Sequence, residues 1–429
     1  MATSIKKIVA ASLIGTTIEW YDFFLYGSAA ALVFNKLFFP ESDPLTGTLL
    51  AFLTYAVGFV ARPLGGLVFG HFGDRVGRKA LLVVSLLMMG VATFLIGCLP
   101  TYETLGPAAA LLLTALRLVQ GFALGGEWGG AVLIVSEHGD TARRGFWASW
   151  PQAGAPGGNL LATGVLAVLA GLQSEEAFLS WGWRVPFLLS GVLVLVGLWI
   201  RLSISESPVF QQSAPEERAP IVGVLRHHSK DVLVAIGARL AENISFYLLT
   251  VFVITYAKQN GIANSTVLNA VLVSSAIHFV TIPMWGALSD RFGRRPIYLA
   301  GAAGIGVWIF AFFPLVDTGN FLAITLAVTV GLLFHGMMYG PQAAFFAELF
   351  GTRTRYTGVS IGAQLSAIVA GALAPIIAVA LLQQYGSSVP ISIYLGLAAV
   401  LTLTAVYAAR ETRGRDLAAA SIRSRQASP

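Results

Sequence analysis

The chain has 429 residues, of which 56% are hydrophobic and 11% charged. A soluble domain carries roughly 25% charged residues, and a bilayer-spanning helix needs roughly 20 apolar ones, so the composition holds on the order of twelve spans. It excludes a soluble globular enzyme and a disordered chain, and the single cysteine, Cys98, excludes a disulfide scaffold. The net charge of +6 does not indicate nucleic acid, because the basic residues sit in short loops between apolar runs.

The expected fold is an all-α membrane protein of twelve transmembrane helices in two six-helix bundles. In chain order the spans are predicted at 8–34, 49–70, 80–98, 108–136, 145–171 and 184–203. The second set is 231–257, 266–288, 296–314, 321–347, 356–382 and 389–409. Phe39-Pro40-Glu41-Ser42-Asp43-Pro44 and Leu99-Pro100-Thr101 are breaks rich in turn formers. The first run carries Glu19 and Asp22 and lacks a small-residue cleavage site, so it reads as a span and not a signal peptide. The domains are predicted as 1–204, a cytoplasmic linker 205–230, 231–410, and a tail 411–429. Of 27 Lys and Arg residues, 21 fall in loops on the side of the N-terminus and only Lys36, Arg184 and Lys258 in the opposite loops. That asymmetry places both termini in the cytoplasm.

Two loops repeat. Gly70-His71-Phe72-Gly73-Asp74-Arg75-Val76-Gly77-Arg78-Lys79 follows the second span. Gly286-Ala287-Leu288-Ser289-Asp290-Arg291-Phe292-Gly293-Arg294-Arg295 follows the eighth. Both fit G-x-x-x-D-R-x-G-R-[KR]. Glu137 with Arg143, Arg144 and Gly145 is echoed by Glu348 with Arg353, Arg355 and Gly358. The chain is therefore a duplicated six-helix unit. Gly77 and Gly293 permit a tight turn. Asp74 can cap the positive end of a neighbouring helix, and Arg78 offers a fork to Glu137. The clusters Asp74–Arg78–Glu137 and Asp290–Arg294–Glu348 are expected to lock the cytoplasmic side and to break as the halves rock. The plainer account is that these charges only set topology.

With this duplicated loop on twelve spans, the chain resembles the major facilitator superfamily. Arg117-Leu118-Val119-Gln120-Gly121, followed by Gly125-Gly126-Glu127, resembles that superfamily's fourth-helix motif, which the resemblance links to proton coupling. Within the superfamily the chain is similar to the metabolite:proton symporters. The matching segments are Glu19-Trp20-Tyr21-Asp22-Phe23-Phe24, Ala61-Arg62-Pro63-Leu64-Gly65-Gly66 and Gly125-Gly126-Glu127-Trp128-Gly129-Gly130. Trp181-Gly182-Trp183-Arg184-Val185-Pro186-Phe187 and Glu206-Ser207-Pro208 match as well. That family includes permeases for shikimate, 2-oxoglutarate, citrate and proline or betaine. The fifth helix, Ser149-Trp150-Pro151-Gln152-Ala153-Gly154-Ala155-Pro156-Gly157-Gly158, departs from the superfamily's antiporter pattern and favours symport.

A charge at the bilayer centre costs at least about 2.5–3.5 kcal/mol, so each one inside a span needs a partner or a task. Glu19, Asp22 and Tyr26 share a face of the first helix by their i, i+3, i+7 spacing. Asp22 or Glu19 is the expected proton carrier; the bland account is a fixed ion pair. Arg117 and Gln120 lie near the middle of the fourth span, where Arg117 either grips a substrate carboxylate or resets a carboxylate after protonation. Arg62 and Glu127 are expected at similar depth as a buried pair. His278 stands at the repeat position equivalent to Arg62 as a titratable counterpart, or as a merely hydrogen-bonded histidine. Arg239, Glu242, Asn243 and Tyr247 on the seventh span form either an internal Arg239–Asn243 or neighbouring-helix pairing, or a substrate-facing patch. His335, Tyr339, Gln342 and Gln364 are further cavity candidates.

Gly358-Val359-Ser360-Ile361-Gly362 matches a nucleophile elbow, but it lies in an apolar helix without triad partners. Gly121, Gly125 and Gly129 recur every four residues, which is helix-packing spacing. No phosphate-binding G-x-x-x-x-G-K-[ST] occurs, so ATP-driven transport within this chain is not expected. The reading is proton-coupled uptake of a small carboxylate, shikimate-like or similar, by an inner-membrane protein that needs no more than a monomer in the lipid bilayer. The proton is the coupling ion, with no other cofactor and no metal. The alternatives are a proline or betaine-type zwitterion symporter and a transporter-like receptor that moves nothing. The residues after Arg410 lack heptads, which argues against an osmosensing tail.

Overall fold

The computed structural model describes residues 5–76, 78–125, 135–136, 140–203, 229–350 and 362–415. For residues 67, 70–76, 78–82, 170 and 200–203 it describes the backbone alone. The first half contains α1 (Ile5–Leu37), α2 (Pro44–Val76), α3 (Arg78–Cys98), α4 (Pro107–Leu124), α5 (Arg144–Leu172) and α6 (Arg184–Ser203). The second contains α7 (Ser229–Gln259), α8 (Asn264–Phe292), α9 (Arg294–Asp317), α10 (Phe321–Leu349), α11 (Gly362–Tyr385) and α12 (Val389–Ala408). Among the described residues, nine helices are long and apolar enough to cross a membrane. A tenth is the bent pair Glu175–Gly182 with Arg184–Trp199. The 21 residues of α3 and the 29 of α5 fall where the remaining two spans were expected.

Helix packing repeats between the halves. In the first, α2 packs on α4, and α3 on both α4 and α6; in the second, α8 packs on α10, and α9 on both α10 and α12. The halves meet through α5 against α8 and through its counterpart, α11 against α2. Small residues set how closely helices approach. A Cβ on Gly121 would overlap the Gly58 carbonyl, and one on Gly125 the Arg62 carbonyl. The four-residue spacing read from sequence is thus the α2–α4 contact. Gly293 adopts φ 103° between α8 and α9, the positive-φ turn expected there.

Single π-turns, often found at functional sites, interrupt α1 at Ala30–Phe34 and α7 at Leu248–Phe252. The two occupy nearly equivalent places in the repeat. A third, Ala367–Ala372, lies in α11. The linker 205–230 lies almost entirely outside the described residues.

Candidate functional site

The α2–α4 crossing sets Arg117 beside α2. A Cβ at Gly58 would sit 2.6 Å from Arg117 Nε, so the guanidinium needs glycine opposite it. Its central carbon lies 4.8, 4.5 and 4.6 Å from the ring centroids of Phe23, Tyr26 and Tyr55. Nη1 donates to Gln120 Oε1 at 2.9 Å, and the Gln120 amide donates to Thr93 Oγ1 at 2.7 Å. Arg62 of α2 approaches the same aromatic group, 4.6 Å from Phe23 and 4.2 Å from Phe59. Cation–π contacts of this kind contribute about 0.5–2 kcal/mol each. They do not satisfy the N–H groups, and Arg117 Nη2 and Arg62 Nε and Nη2 are buried without a hydrogen-bond partner.

Asp22 precedes Phe23 and is buried, with one carboxylate oxygen unpartnered. Thr93 and Arg117 face it. Glu19, one turn away on α1, is buried and engaged. The Tyr26 hydroxyl is 2.7 Å from Thr54 Oγ1. The first half therefore brings together Asp22, Tyr26, Arg62, Arg117 and Gln120.

The second half closes over this group with Tyr247, whose ring centroid lies 6.0 Å from Phe23, 6.3 Å from Tyr55 and 5.9 Å from Phe59. Behind it runs a polar string. His278 Nε2 is 3.0 Å from His335 Nδ1, and His335 Nε2 is 3.4 Å from Glu242 Oε1. Glu242 Oε2 accepts from Gln342 Nε2 at 3.0 Å and Asn243 Nδ2 at 3.2 Å, and it lies 3.5 Å from Arg239 Nε. Of the alternatives open for the seventh span, the Arg239–Asn243 contact is present, with Asn243 Nδ2 donating to the Arg239 carbonyl oxygen at 3.0 Å, and the Arg239–Glu242 ion pair lies beside it, not foreseen from the sequence. Glu242 also meets His335 of α10, expected as a cavity residue, and through it His278 of α8, expected as a counterpart of Arg62.

At the end of the bundle holding the repeated loops, Arg294 joins Asp290 at 2.6 Å and Glu348 at 3.1 Å. The expected second cluster is thus assembled, and it reaches further than its three members. Arg144, at the start of α5, bonds Glu348 Oε1 at 3.0 Å. Asp290 accepts from the Gly145 and Phe146 backbone N–H groups at 2.8 and 2.9 Å. It caps a helix of the opposite half, the role foreseen for its counterpart Asp74. Thr412 adds a bond to Glu348, and Glu411 accepts from the Arg294 and Arg295 N–H groups at the start of α9. Sequence reasoning used Arg144 as a topology charge and as part of the internal repeat, without a partner across the halves. Its signal was the echo of an Arg beside a Glu in both halves. Glu127 and Glu137 lie outside the described residues, and so do the side chains of Asp74 and Arg78 and any side-chain statement about Gly70. The Arg62–Glu127 pair and the first cluster fall with them.

Helices stacked in two matching sets around a buried charged site define a duplicated membrane transporter. The Major Facilitator Superfamily model matches residues 12–372 and 243–427, and the chain belongs to that superfamily, a group of transporters rather than enzymes. It is 42% identical over 421 residues to the inner membrane metabolite transport protein YhjE of Escherichia coli (strain K12), covering 96% of both chains. It is 42% identical over 398 residues to the shikimate transporter of the same organism, covering 91% of each. The proline/betaine transporter of that strain is 32% identical, with 97% of this chain and 86% of the relative covered. The crystal structure of a D-xylose-proton symporter superposes with a TM-score of 0.76 at 16% identity, covering 97% of this chain and 100% of that one. It establishes the fold alone.

Proposed function

We propose that this transporter is a proton-coupled symporter that carries a small organic acid, shikimate-like or another carboxylate metabolite, into the cell by alternating access. The observation that carries the reading is the pair of buried guanidiniums, Arg62 and Arg117, flanking Phe23 with three N–H-bearing nitrogens unpartnered. An unpaired buried donor costs about 1–3 kcal/mol. A planar carboxylate supplies acceptors to both forks at once and removes that penalty. Asp22 beside them is the proton carrier: protonated, it surrenders its claim on Arg117, and the substrate carboxylate takes its place. Proton and anion then enter together. The membrane is the inner membrane, with both termini cytoplasmic, and the functional unit is the monomer.

The resemblance to the proline/betaine transporter makes a zwitterion the competing cargo. A quaternary ammonium group needs free aromatic faces. Here Phe23, Tyr26, Tyr55 and Phe59 already carry guanidiniums, which favours the carboxylate. The test is charge movement in proteoliposomes under a fixed pH gradient, with shikimate, 2-oxoglutarate, citrate, proline and betaine as probes. A pH-dependent current with one of the acids supports the reading. Current with betaine or proline alone replaces the substrate, and binding without current replaces transport with a receptor.

A further inference from the structure

Asp22 and the two guanidiniums with unpartnered nitrogens belong to the first half, yet a second set of titratable groups is buried opposite them with no task in that scheme. Glu242 on α7, His335 on α10 and His278 on α8 form one continuous string across three helices. All three are buried, with His278 and His335 1% exposed and Glu242 3%. The outer nitrogen at the far end of the string, His278 Nδ1, has no hydrogen-bond partner. His278 also lies one turn from Ser275, whose hydroxyl accepts from Asn159 of α5 at 2.8 Å. His278 thus sits on the helix that meets the opposite half, one turn from a hydrogen bond between the halves. A string that ends in a carboxylate ion pair at one end and an unused nitrogen at the other has the layout of a proton path.

We propose that His278, His335 and Glu242 form a second protonatable centre, and that protonating it loosens Arg239 toward the substrate anion. The step balances as a relay. A proton binds His278 Nδ1 and the Nε2 proton of that ring passes to His335 Nδ1. The proton on His335 Nε2 passes to Glu242 Oε1. Both rings end neutral with their tautomers exchanged, and the carboxylate becomes a carboxyl. Arg239 then loses the charge it faces at 3.5 Å. It lies near Arg62 of the first half, so the gain in positive potential falls where the first half already holds its two forks. The other titratable or charged groups facing the string are Arg239 and Tyr247 on α7, Tyr298 on α9 and Tyr339 on α10. Phe246 stacks on His335 at 4.7 Å between centroids and shields its ring. This inference rests on the proposed symport for its consequence, but the protonation itself does not depend on which cargo is carried.

The experiment is an infrared pH titration of the full chain in lipid nanodiscs, following the carbonyl band of protonated carboxyl groups. Wild type is compared with Glu242→Gln, His335→Asn, His278→Asn and Asp22→Asn. One titrating band is expected to vanish in Glu242→Gln. The same band is expected to persist with a displaced midpoint in both histidine variants, and to be unaffected by Asp22→Asn. The histidine variants leave Glu242 and Arg239 in place, so they report even if Glu242→Gln does not fold. A full set of bands in Glu242→Gln, or an unshifted midpoint in both histidine variants, overturns the proposal. If the band behaves as expected while the five probe substrates give no current, the protonatable centre stands and the symport reading fails.

Discussion

Arg117 meets three ring faces and a side-chain carbonyl, and its remaining terminal nitrogen meets nothing. Lysine at this place keeps the charge and loses the planar fork. A hydrogen bond to a charged group is worth about 1.5–3 kcal/mol, so Arg117→Lys is expected to raise the KM for the transported acid roughly 10- to 100-fold. Uptake kinetics in proteoliposomes measure this, and an unchanged KM removes Arg117 from the site. Asp22→Asn separates the proton from the cargo. Accumulation driven by a pH gradient is expected to stop while exchange of labelled for unlabelled substrate continues; loss of exchange as well assigns Asp22 to binding or folding. These residues were legible in the sequence because a charge inside an apolar run demands a reason. Phe23, which both guanidiniums contact, was not legible. An aromatic in a membrane helix has no pattern of its own, and only the α2–α4 crossing brings both cations to it. The histidine string was half legible. His278 and His335 stood out as polar residues in spans, but 57 residues separate them and no spacing rule joins them.

Helix α4 shows how much of the element scale the sequence carries. Its Gly121 and Gly125 predicted close packing, and the predicted surface is the one against α2. A methyl group at Gly121 has to displace the Gly58 backbone, and overpacking costs about 1–3 kcal/mol. Gly121→Ala is therefore expected to lower the thermal midpoint of the purified protein and to weaken substrate affinity together, since Arg117 rides on the same contact. An unchanged midpoint shows that the crossing relaxes freely. The start of α9 carries a pH-dependent cap. Burial alone pushes the Glu411 carboxyl up, but bonds from the backbone N–H groups of Arg413, Arg294, Arg295 and Thr412 hold it below the ordinary value. Because the folded value is depressed, the cap is fully present above the unfolded pKa of about 4.3 and is lost as pH falls through the folded value. Amide exchange at Arg294 and Arg295 is expected to speed up only below that range. A profile that stays flat through that range, or acceleration already at neutral pH, contradicts the cap. The interrupted stretches of α1 and α7 were invisible beforehand, because a π-turn changes hydrogen bonding without changing hydrophobicity.

The two halves meet through different polar contacts at the two ends of the molecule. At the end with the repeated loops, contact between halves is ionic and buried: Arg144 with Glu348, and Asp290 on the first N–H groups of α5. At the opposite end a described contact is the exposed hydrogen bond from Gln383 to Thr46, 3.2 Å long. Duplication made the cluster within one half legible, since the motif occurs twice. The cross-half bond was not, because a repeat reports what the two halves share and not how they face each other. Glu348 takes charge from both Arg144 and Arg294, so removing its charge strips partners from two buried guanidiniums. Breaking a buried pair costs about 3–5 kcal/mol, and moving an equilibrium from 1:99 to 99:1 takes about 5.5 kcal/mol. Glu348→Gln is thus expected to move most of the population to a state open at this end. Spin labels at Arg143→Cys and Arg291→Cys, in a Cys98→Ser background, sit on opposite halves there. Their distance distribution is expected to shift to longer values in Glu348→Gln, with net uptake reduced because the gate no longer recloses. A distribution identical to the parent's means that the ionic cluster fixes topology and does not gate.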